Sequence, residues 1–271
     1  MTKPGTDRIT AAFTQAKQTK TAALMPYFTL GYPDAETSLD IVEAIAPYSD
    51  LLELGVPFSD PLADGPTVQH STQVSLENGT TTASCLEMVR ELRRRGVQTP
   101  VMLMGYVNPI LAYGEDAYVR DAVEAGVDGF IVPDLPPEEA DGFEAKTASA
   151  GLALIPFLAP TSNPARIKMV AATARGFIYL VSVTGVTGAR SQVRTDLAGF
   201  VNGVRAETAV PLAVGFGIST PQQAAEVGQV ADGVIVGSAL INAVNAAEDG
   251  TKVEAAVQFV KSLRAGLQGE L

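Results

Sequence analysis

The 271-residue chain has no tryptophan, one cysteine (Cys85) and one histidine (His70). A single cysteine excludes an intrachain disulfide, which is typical of proteins from a reducing compartment. One histidine leaves too few imidazoles for a His-rich zinc site or a histidine-based catalytic triad. We therefore expect a cytoplasmic protein without a metal site, and we interpret His70 as a polar loop or helix residue.

Long apolar runs and basic patches are also missing. Apolar runs such as Leu152–Pro160 are far too short to span a bilayer, and Met1–Thr10 lacks the apolar core of a signal peptide. The formal net charge is −11, and the only basic cluster, Arg93–Arg95, ends a predicted helix, where it favours the helix dipole. We expect no membrane and no nucleic acid among the partners.

Short runs rich in Val, Leu and Ile alternate with amphipathic segments along the whole chain. Such runs are typical of buried parallel strands, and they predict strands at Ala23–Leu30, Leu51–Gly55, Val101–Tyr106, Gly129–Val132, Leu152–Leu158, Phe177–Ser182, Val210–Val214 and Gly233–Val236. Helical spacing of apolar residues predicts helices at Arg8–Gln18, Ala35–Tyr48, Thr82–Arg95, Glu115–Ala125, Pro137–Ala150, Pro164–Ala174, Asp196–Glu207, Pro221–Val230, Ser238–Ala246 and Thr251–Ala265.

Eight β/α units at this length indicate an α/β protein with one (β/α)8 TIM-barrel domain over residues 1–271. An extra helix precedes the first strand, and a short helix follows the eighth. An internal echo supports a repeated unit, since Val127–Val132 (VDGFIV) resembles Ala231–Val236 (ADGVIV). The alternative is a doubly wound open sheet, which typically has a glycine-rich turn after its first strand. Here the glycines cluster in the last third of the chain.

One carboxylate, Glu53, lies inside a predicted strand. Strand alternation places Glu53 on the face opposite Leu52 and Leu54. Because leucines suit the helix-packed face, we expect Glu53 to point into the barrel mouth, where ligands bind. Burial raises the pKa of a carboxyl group, so Glu53 is a candidate general acid and base. The alternative is a structural Glu held by an inner-barrel Lys or Arg, but no predicted strand supplies an obvious one.

Two further acids, Asp60 and Asp64, follow in a loop stiffened by Pro57, Pro61 and Pro66. Ser-Asp-Pro and Ala-Asp-Gly are also ordinary turn sequences. Residue chemistry alone therefore does not decide which of the two acids faces a ligand.

Glycines follow the last three predicted strands, at Gly185–Gly188, Gly215–Ser219 and Gly237–Ser238. Glycine lets backbone N–H groups approach an anion, and the N-terminus of the short last-strand helix adds a positive dipole. Together they predict a phosphate site of the kind barrels build there. Three tyrosines at or after strands are pocket or core candidates: Tyr27, Tyr106 and Tyr179.

Several segments, in order, resemble the tryptophan synthase alpha chain family. The most specific is Leu52–Pro66 (LELGVPFSDPLADGP). The others are Pro26–Gly31 (PYFTLG), Tyr179–Ser182 (YLVS) with Gly185–Gly188 (GVTG), Gly215–Ser219 (GFGIS) and Gly237–Ala239 (GSA). The resemblance spans nearly the whole chain and implies a lyase of tryptophan biosynthesis. Its reaction is the retro-aldol cleavage of indole-3-glycerol phosphate to indole and glyceraldehyde 3-phosphate.

The resemblance also implies roles for individual residues. Glu53 would protonate the indole ring at C3 and assist loss of the glycerol hydroxyl proton, and Asp64 would bind or accept the indole N–H proton. Asp60 matches a position nearer the partner subunit. The implied substrate-binding residues are Tyr27, Tyr106, Ile131, Leu158, Tyr179, Thr187, Gly188, Gly215, Gly217, Gly237 and Ser238. Of these, Ile131 and Leu158 would flank the indole.

No cofactor is implied in this subunit. The implied partner is the tryptophan synthase beta chain, which uses pyridoxal phosphate, in an αββα heterotetramer. One departure is that Val183 and Thr184 stand where some family members carry a basic residue. The alternatives are a sugar-phosphate isomerase or epimerase, a non-catalytic subunit that keeps the phosphate site, and a free-standing lyase that releases indole.

Overall fold

The computed structural model describes residues 4–181, 197–215 and 217–270. In these residues nine parallel strands, β1 to β9, cover Ala23–Thr29, Leu52–Gly55, Val101–Met104, Gly129–Ile131, Ala153–Ile155, Phe157–Leu158, Ile178–Val181, Leu212–Gly215 and Gly233–Val236. Twelve helices, α1 to α12, cover Gly5–Gln18, Ala35–Ile45, Pro66–Glu77, Thr82–Arg94, Val107–Tyr113, Glu115–Ala125, Asp141–Ser149, Pro164–Thr173, Leu197–Arg205, Pro221–Gly228, Ser238–Asn245 and Lys252–Gln268. None of them is long and apolar enough to cross a membrane.

The fifth predicted strand forms two strands, β5 and β6, with Pro156 between them. β5 pairs with β4 and β6 pairs with β7. The two halves of the predicted strand therefore lie at opposite ends of the strand order β5-β4-β3-β2-β1-β9-β8-β7-β6. Pro156 lacks an N–H, but its carbonyl oxygen accepts the N–H of Tyr179 at 3.0 Å. The predicted (β/α)8 barrel is confirmed, with its fifth strand turned at a proline.

Side chains alternate between the barrel interior and the surrounding helices. Leu51, Met102 and Ile131 belong to the interior cluster, whereas Leu52 and Leu54 pack in the cluster that the helices cover. The predicted extra helix α1 closes the N-terminal end of the barrel, because its Ile9 and Phe13 join the interior cluster. The alternation that oriented the second strand is therefore correct.

Two helices, α3 and α5, were not predicted. The buried face of α3 consists of Val68, Ser71, Thr72 and Ser75, so it has no apolar stripe that periodicity could detect. Its serines instead bond to β1 and the turn after it: Ser75 Oγ donates to the carbonyl oxygen of Leu30 at 2.6 Å. The local signal for α3 was Gly65 followed by a proline at the first helical position.

Prolines also account for two shortened helices. The helix expected to run to Tyr48 ends as α2 at Ile45, and a 3-10 turn, Ala46–Tyr48, follows around Pro47. The helix expected from Pro137 begins with the 3-10 turn Pro137–Glu139, and α7 starts only at Asp141.

Three aspartates tie neighbouring strands together at the N-terminal end of the barrel. Each stands at or near the start of one strand and accepts an N–H at the start of the strand before it. The pairs are Leu24 N–H to Asp50 at 2.7 Å, Val101 N–H to Asp128 at 2.8 Å and Leu212 N–H to Asp232 at 2.9 Å. An arginine from a helix pairs with each carboxylate, namely Arg264, Arg93 and Arg205 respectively. The similar VDG and ADG sequences therefore mark the same strand-to-strand hydrogen bond, made by Asp128 in one β/α unit and by Asp232 in another.

Asp128 is the most buried of the three and is only 1% exposed. It pairs with Arg8 of α1 and Arg93 of α4, each at 2.8 Å. Removing one partner of a buried charge network leaves the other charges uncompensated. We predict that Asp128→Ala lowers the stability of the chain by about 3 kcal/mol or more, measured by urea unfolding followed by circular dichroism.

A matched control is Asp249→Ala, because Asp249 also pairs with a basic residue, Lys252, but is fully exposed. An exposed pair contributes little, so we expect almost no change in the urea midpoint. Equal losses in the two variants would contradict the proposed importance of the Asp128 network.

Candidate active site

Glu53 lies in the middle of β2 and is 1% exposed. Strand β2 pairs with β1 on one side and with β3 on the other. The residues beside Glu53 in these two strands are Tyr27 and Met102. Its Oε2 atom has no hydrogen-bond partner among the described residues. Burial, and then the nearby Asp64 carboxylate, raise the pKa of Glu53 to about 8. Glu53 therefore carries a proton near neutral pH.

Asp64 is held at the edge of the same mouth by its loop and by one tyrosine. The loop folds back on itself, since the N–H of Asp64 donates to the carbonyl oxygen of Pro61 at 3.0 Å. The Tyr106 hydroxyl donates to Asp64 Oδ2 at 2.9 Å and accepts the N–H of Ala63 at 3.1 Å. Burial raises the pKa of Asp64 to about 6, against the opposing effect of the Tyr106 hydrogen bond. Asp64 is therefore ionised near neutral pH.

Asp60 has a different environment. It is exposed, and its carboxylate accepts a hydrogen bond from the neighbouring Ser59 hydroxyl. Two residues further along the chain, Leu62 is 93% exposed. The structure separates the two loop acids that turn chemistry alone left equivalent, because Asp64 raises the pKa of Glu53 while Asp60 is exposed to solvent.

Two inward tyrosines lie over glycines of the neighbouring strands. A Cβ atom on Gly55 would lie 2.2 Å from the hydroxyl oxygen of Tyr27, and one on Gly215 would lie 2.2 Å from that of Tyr179. Any larger side chain would therefore displace the phenols. Glycine is therefore favoured at position 215 because a side chain there would clash with Tyr179, which the glycine pattern alone did not reveal.

The residues expected around an indole lie on different faces. Ile131 belongs to the barrel interior, whereas Leu158 packs outside it with Val170 and Leu180. The neighbouring Phe157 packs against the interior cluster, with its ring 4.7 Å from that of Tyr179. Sequence reasoning missed Phe157, although the alternation used for β2 would have found it.

The expected phosphate residues follow neighbouring strands, because β7, β8 and β9 are adjacent. Gly217 has φ +78°, which favours glycine, and Gly237 precedes α11, where Ser238 is exposed in the first turn. Gln223 of α10 accepts the N–H of Ser219 at 2.8 Å, which fixes the loop after β8. Thr187 and Gly188 lie outside the described residues.

A cavity of about 380 Å³ opens beside the ends of β6 and β7 and is lined in part by Phe157 and Val181. A second cavity, of about 370 Å³, lies between the Asp64 loop and the segments after β3 and β4, and is lined in part by Phe58, Leu62 and Tyr106. In the described ranges, no three His, Cys, Asp or Glu side chains are grouped to hold a metal ion.

Comparison with known proteins gives a consistent result. Residues 13–267 match the sequence model of the tryptophan synthase alpha chain. The chain belongs to the tryptophan synthase alpha chain family. It is 48% identical to the alpha chain of Chloroflexus aggregans, covering 95% of this chain and 97% of the relative. It is 50% identical to that of Geobacter sp. strain M21, covering 96% and 97%.

Solved structures agree with the sequences. The tryptophan synthase alpha subunit of Legionella pneumophila has a TM-score of 0.89 and 38% identity, covering 97% of this chain and 98% of that one. A Mycobacterium tuberculosis tryptophan synthase chain has a TM-score of 0.86 and 35% identity, covering 96% and 99%. Members of the family cleave indole-3-glycerol phosphate to indole and glyceraldehyde 3-phosphate. The expectation of a carbon–carbon lyase of tryptophan biosynthesis is confirmed.

The buried acid has a consequence for stability. The pKa of Glu53 rises from 4.5 to about 8 on folding, so the folded chain binds more protons than the unfolded chain between these values. Stability therefore falls as pH rises through this window. Glutamine does not titrate, so we predict that Glu53→Gln becomes increasingly more stable than the wild type from pH 5 to pH 8.5. The gain should be on the order of 3 kcal/mol, since one pKa unit corresponds to about 1.4 kcal/mol.

Urea midpoints of both proteins at several pH values measure this gain, and Glu207→Gln, at an exposed position, is the control. A stability difference that stays constant with pH would show that Glu53 is ionised to the same extent in the folded and unfolded chains.

Proposed function

We propose that Glu53 and Asp64 form the acid–base pair that breaks the bond between the indole ring and the glycerol phosphate chain. The observation that carries this proposal is the difference between the two carboxyl groups. At neutral pH Glu53 holds a proton, with a pKa of about 8, while Asp64 is ionised, with a pKa of about 6. Two carboxyl groups whose environments move their pKa values apart are suited to opposite roles.

The steps balance with one proton cycling through Glu53. Its carboxyl group donates a proton to C3 of the indole ring, and Asp64 stabilises the resulting cation by hydrogen bonding its N–H. The Glu53 carboxylate then accepts the proton of the adjacent glycerol hydroxyl. The C–C bond breaks, its electron pair returns to the ring, and an aldehyde forms. Glu53 ends protonated, as it began, and the step needs no cofactor in this subunit.

The substrate-binding residues expected from the sequence belong to this proposal. Tyr27, Tyr106, Tyr179 and Ile131 would surround the indole, and we add Phe157, because its ring lies on the interior face that Leu158 does not share. The phosphate would lie at the loops after β7, β8 and β9, near Thr187, Gly188, Gly215, Gly217, Gly237 and Ser238.

The proposed partner is the beta chain with its pyridoxal phosphate, in an αββα heterotetramer within the cytoplasm. Family membership implies a complex with a beta chain. Leu62, two residues after Asp60 on the loop that carries Asp64, supports a contact there. It is 93% exposed, and covering its apolar surface with a partner would be favourable. A free-standing lyase is the remaining alternative.

The acid–base assignment predicts that Glu53→Gln folds but forms indole at least about 1,000-fold more slowly, because proton transfer is lost at two steps. Asp64→Asn should also lose activity, while Asp60→Asn should keep the indole-forming activity of the chain on its own. Steady-state indole release from indole-3-glycerol phosphate measures all three. Near-normal turnover by Glu53→Gln would refute the assignment.

The partner assignment predicts that Leu62→Ser weakens binding of the beta chain by about tenfold or more, as loss of a buried anchor does. Met169→Ser is the matched control, because Met169 is an exposed apolar residue of α8, far from this loop in sequence. Titration calorimetry or size-exclusion chromatography measures the affinity. Full turnover with no complex at all would favour the free-standing lyase.

A further inference from the structure

A chain of buried hydroxyl groups connects the barrel mouth to α3. Tyr27 Oη lies 3.2 Å from Thr29 Oγ1, which lies 2.7 Å from Ser71 Oγ, and Ser71 Oγ lies 2.9 Å from the carbonyl oxygen of Val68. Thr29 and Ser71 are fully buried, and Tyr27 is nearly so. Neither Thr29 nor Ser71 belongs to the site described above.

The hydrogen bonds along this chain of hydroxyl groups all run in one direction, from Tyr27 towards α3. The carbonyl oxygen of Val68 can only accept, so Ser71 donates its single hydroxyl hydrogen there. The contact between Ser71 and Thr29 then needs the Thr29 hydrogen, and the contact between Thr29 and Tyr27 needs the Tyr27 hydrogen. This is the only assignment that places one hydrogen in each of the three contacts. Tyr27 is therefore the donor, and its oxygen lone pairs remain for other partners.

The oxygen of Tyr27 lies beside the catalytic acids. Tyr27 is the register partner of Glu53, and its hydroxyl fills the space over Gly55, the next inward position of β2. Burial is the largest cause that raises the pKa of the Tyr27 phenol, and the neighbouring Asp64 and Glu53 raise it further. Further titratable groups near this mouth are Tyr179 on β7, whose pKa burial and then Glu53 raise, Tyr106, which donates to Asp64, and Asp134, which acts on Tyr106.

We infer that Thr29 and Ser71 are positioning residues: they hold the hydroxyl hydrogen of Tyr27 away from the barrel mouth, so that Tyr27 presents an oxygen lone pair to Glu53 and the substrate. This inference rests on the proposed acid–base role of Glu53. Glu53 Oε2 has no hydrogen-bond partner among the described residues, so the effect acts through the phenol dipole. The negative oxygen end of that dipole disfavours an ionised carboxylate nearby, whereas a phenol O–H turned into the mouth would stabilise it. The hydroxyl chain thus favours the proton-donating state with which the reaction starts.

Disrupting the chain should release the Tyr27 hydrogen. In Thr29→Val the phenol loses its acceptor and can donate to a carboxylate. In Ser71→Ala the Thr29 hydrogen can turn toward Tyr27, which frees the phenol hydrogen in the same way. Both changes stabilise ionised Glu53. We expect the basic limb of the kcat/KM–pH profile to move to lower pH by about one unit in both variants.

Ser75→Ala is the matched control. Ser75 is also a buried serine of α3, and it donates to the carbonyl oxygen of Leu30, outside the chain that ends at Tyr27. It should lower stability without moving the basic limb. In a Tyr27→Phe background, Thr29→Val should cause no further shift, because the phenol that transmits the effect is gone.

A direct titration makes the test independent of turnover. Carboxyl 13C NMR of glutamate-labelled protein, with Glu53→Gln to assign the signal, should show Glu53 ionising at lower pH in Thr29→Val and Ser71→Ala. An unchanged limb and titration in both variants would overturn the inference, as would a shift that persists in Tyr27→Phe or an equal shift in Ser75→Ala. If Glu53→Gln itself keeps full activity, the proposed function fails; if it is inactive while the limb stays fixed, only this inference fails.

Discussion

The structure of the barrel mouth depends on the burial of the Glu53 carboxyl group in a strand whose neighbours are apolar. An ionised carboxylate at this position is costly because the described residues provide no opposite charge beside it. The protein keeps the group protonated instead, and the nearby ionised Asp64 reinforces that state. The tyrosines and glycines around Glu53 fit this arrangement: phenols fill the mouth without adding charge, and Gly55 and Gly215 leave the space that they need.

The opposite end of the barrel carries the interactions that suit stability. Asp128 and its two equivalents bind backbone N–H groups and arginines at the N-terminal ends of the strands, and α1 covers the interior there. The three aspartates at this end are paired with arginines, whereas Glu53 at the other end has no counterion among the residues that the structure describes. The aspartate bonds fix the strands at their N-terminal ends, so the opposite end of the barrel can hold a buried carboxyl group that costs stability.

Much of the fold could be predicted because buried parallel strands and amphipathic helices leave clear periodic signals. The failures have separate physical causes. Helix α3 packs through Ser71 and Ser75, which periodicity reads as polar surface. The fifth strand contains a proline that divides it between two neighbours. Phe157 was missed because its neighbour Leu158 was chosen from resemblance, without following alternation through the strand.

The sequence by itself determined the barrel, the inward direction of Glu53 and membership in a family with a specific motif. These follow from local periodicity and from short motifs, which are readable along the chain. Only the tertiary structure decided that Asp64 is coupled to Glu53 while Asp60 faces solvent, and that Gly215 makes room for Tyr179. It also gave the hydroxyl chain its direction. These properties depend on burial and on distances between groups on different strands and helices, and a linear order of residues does not contain them.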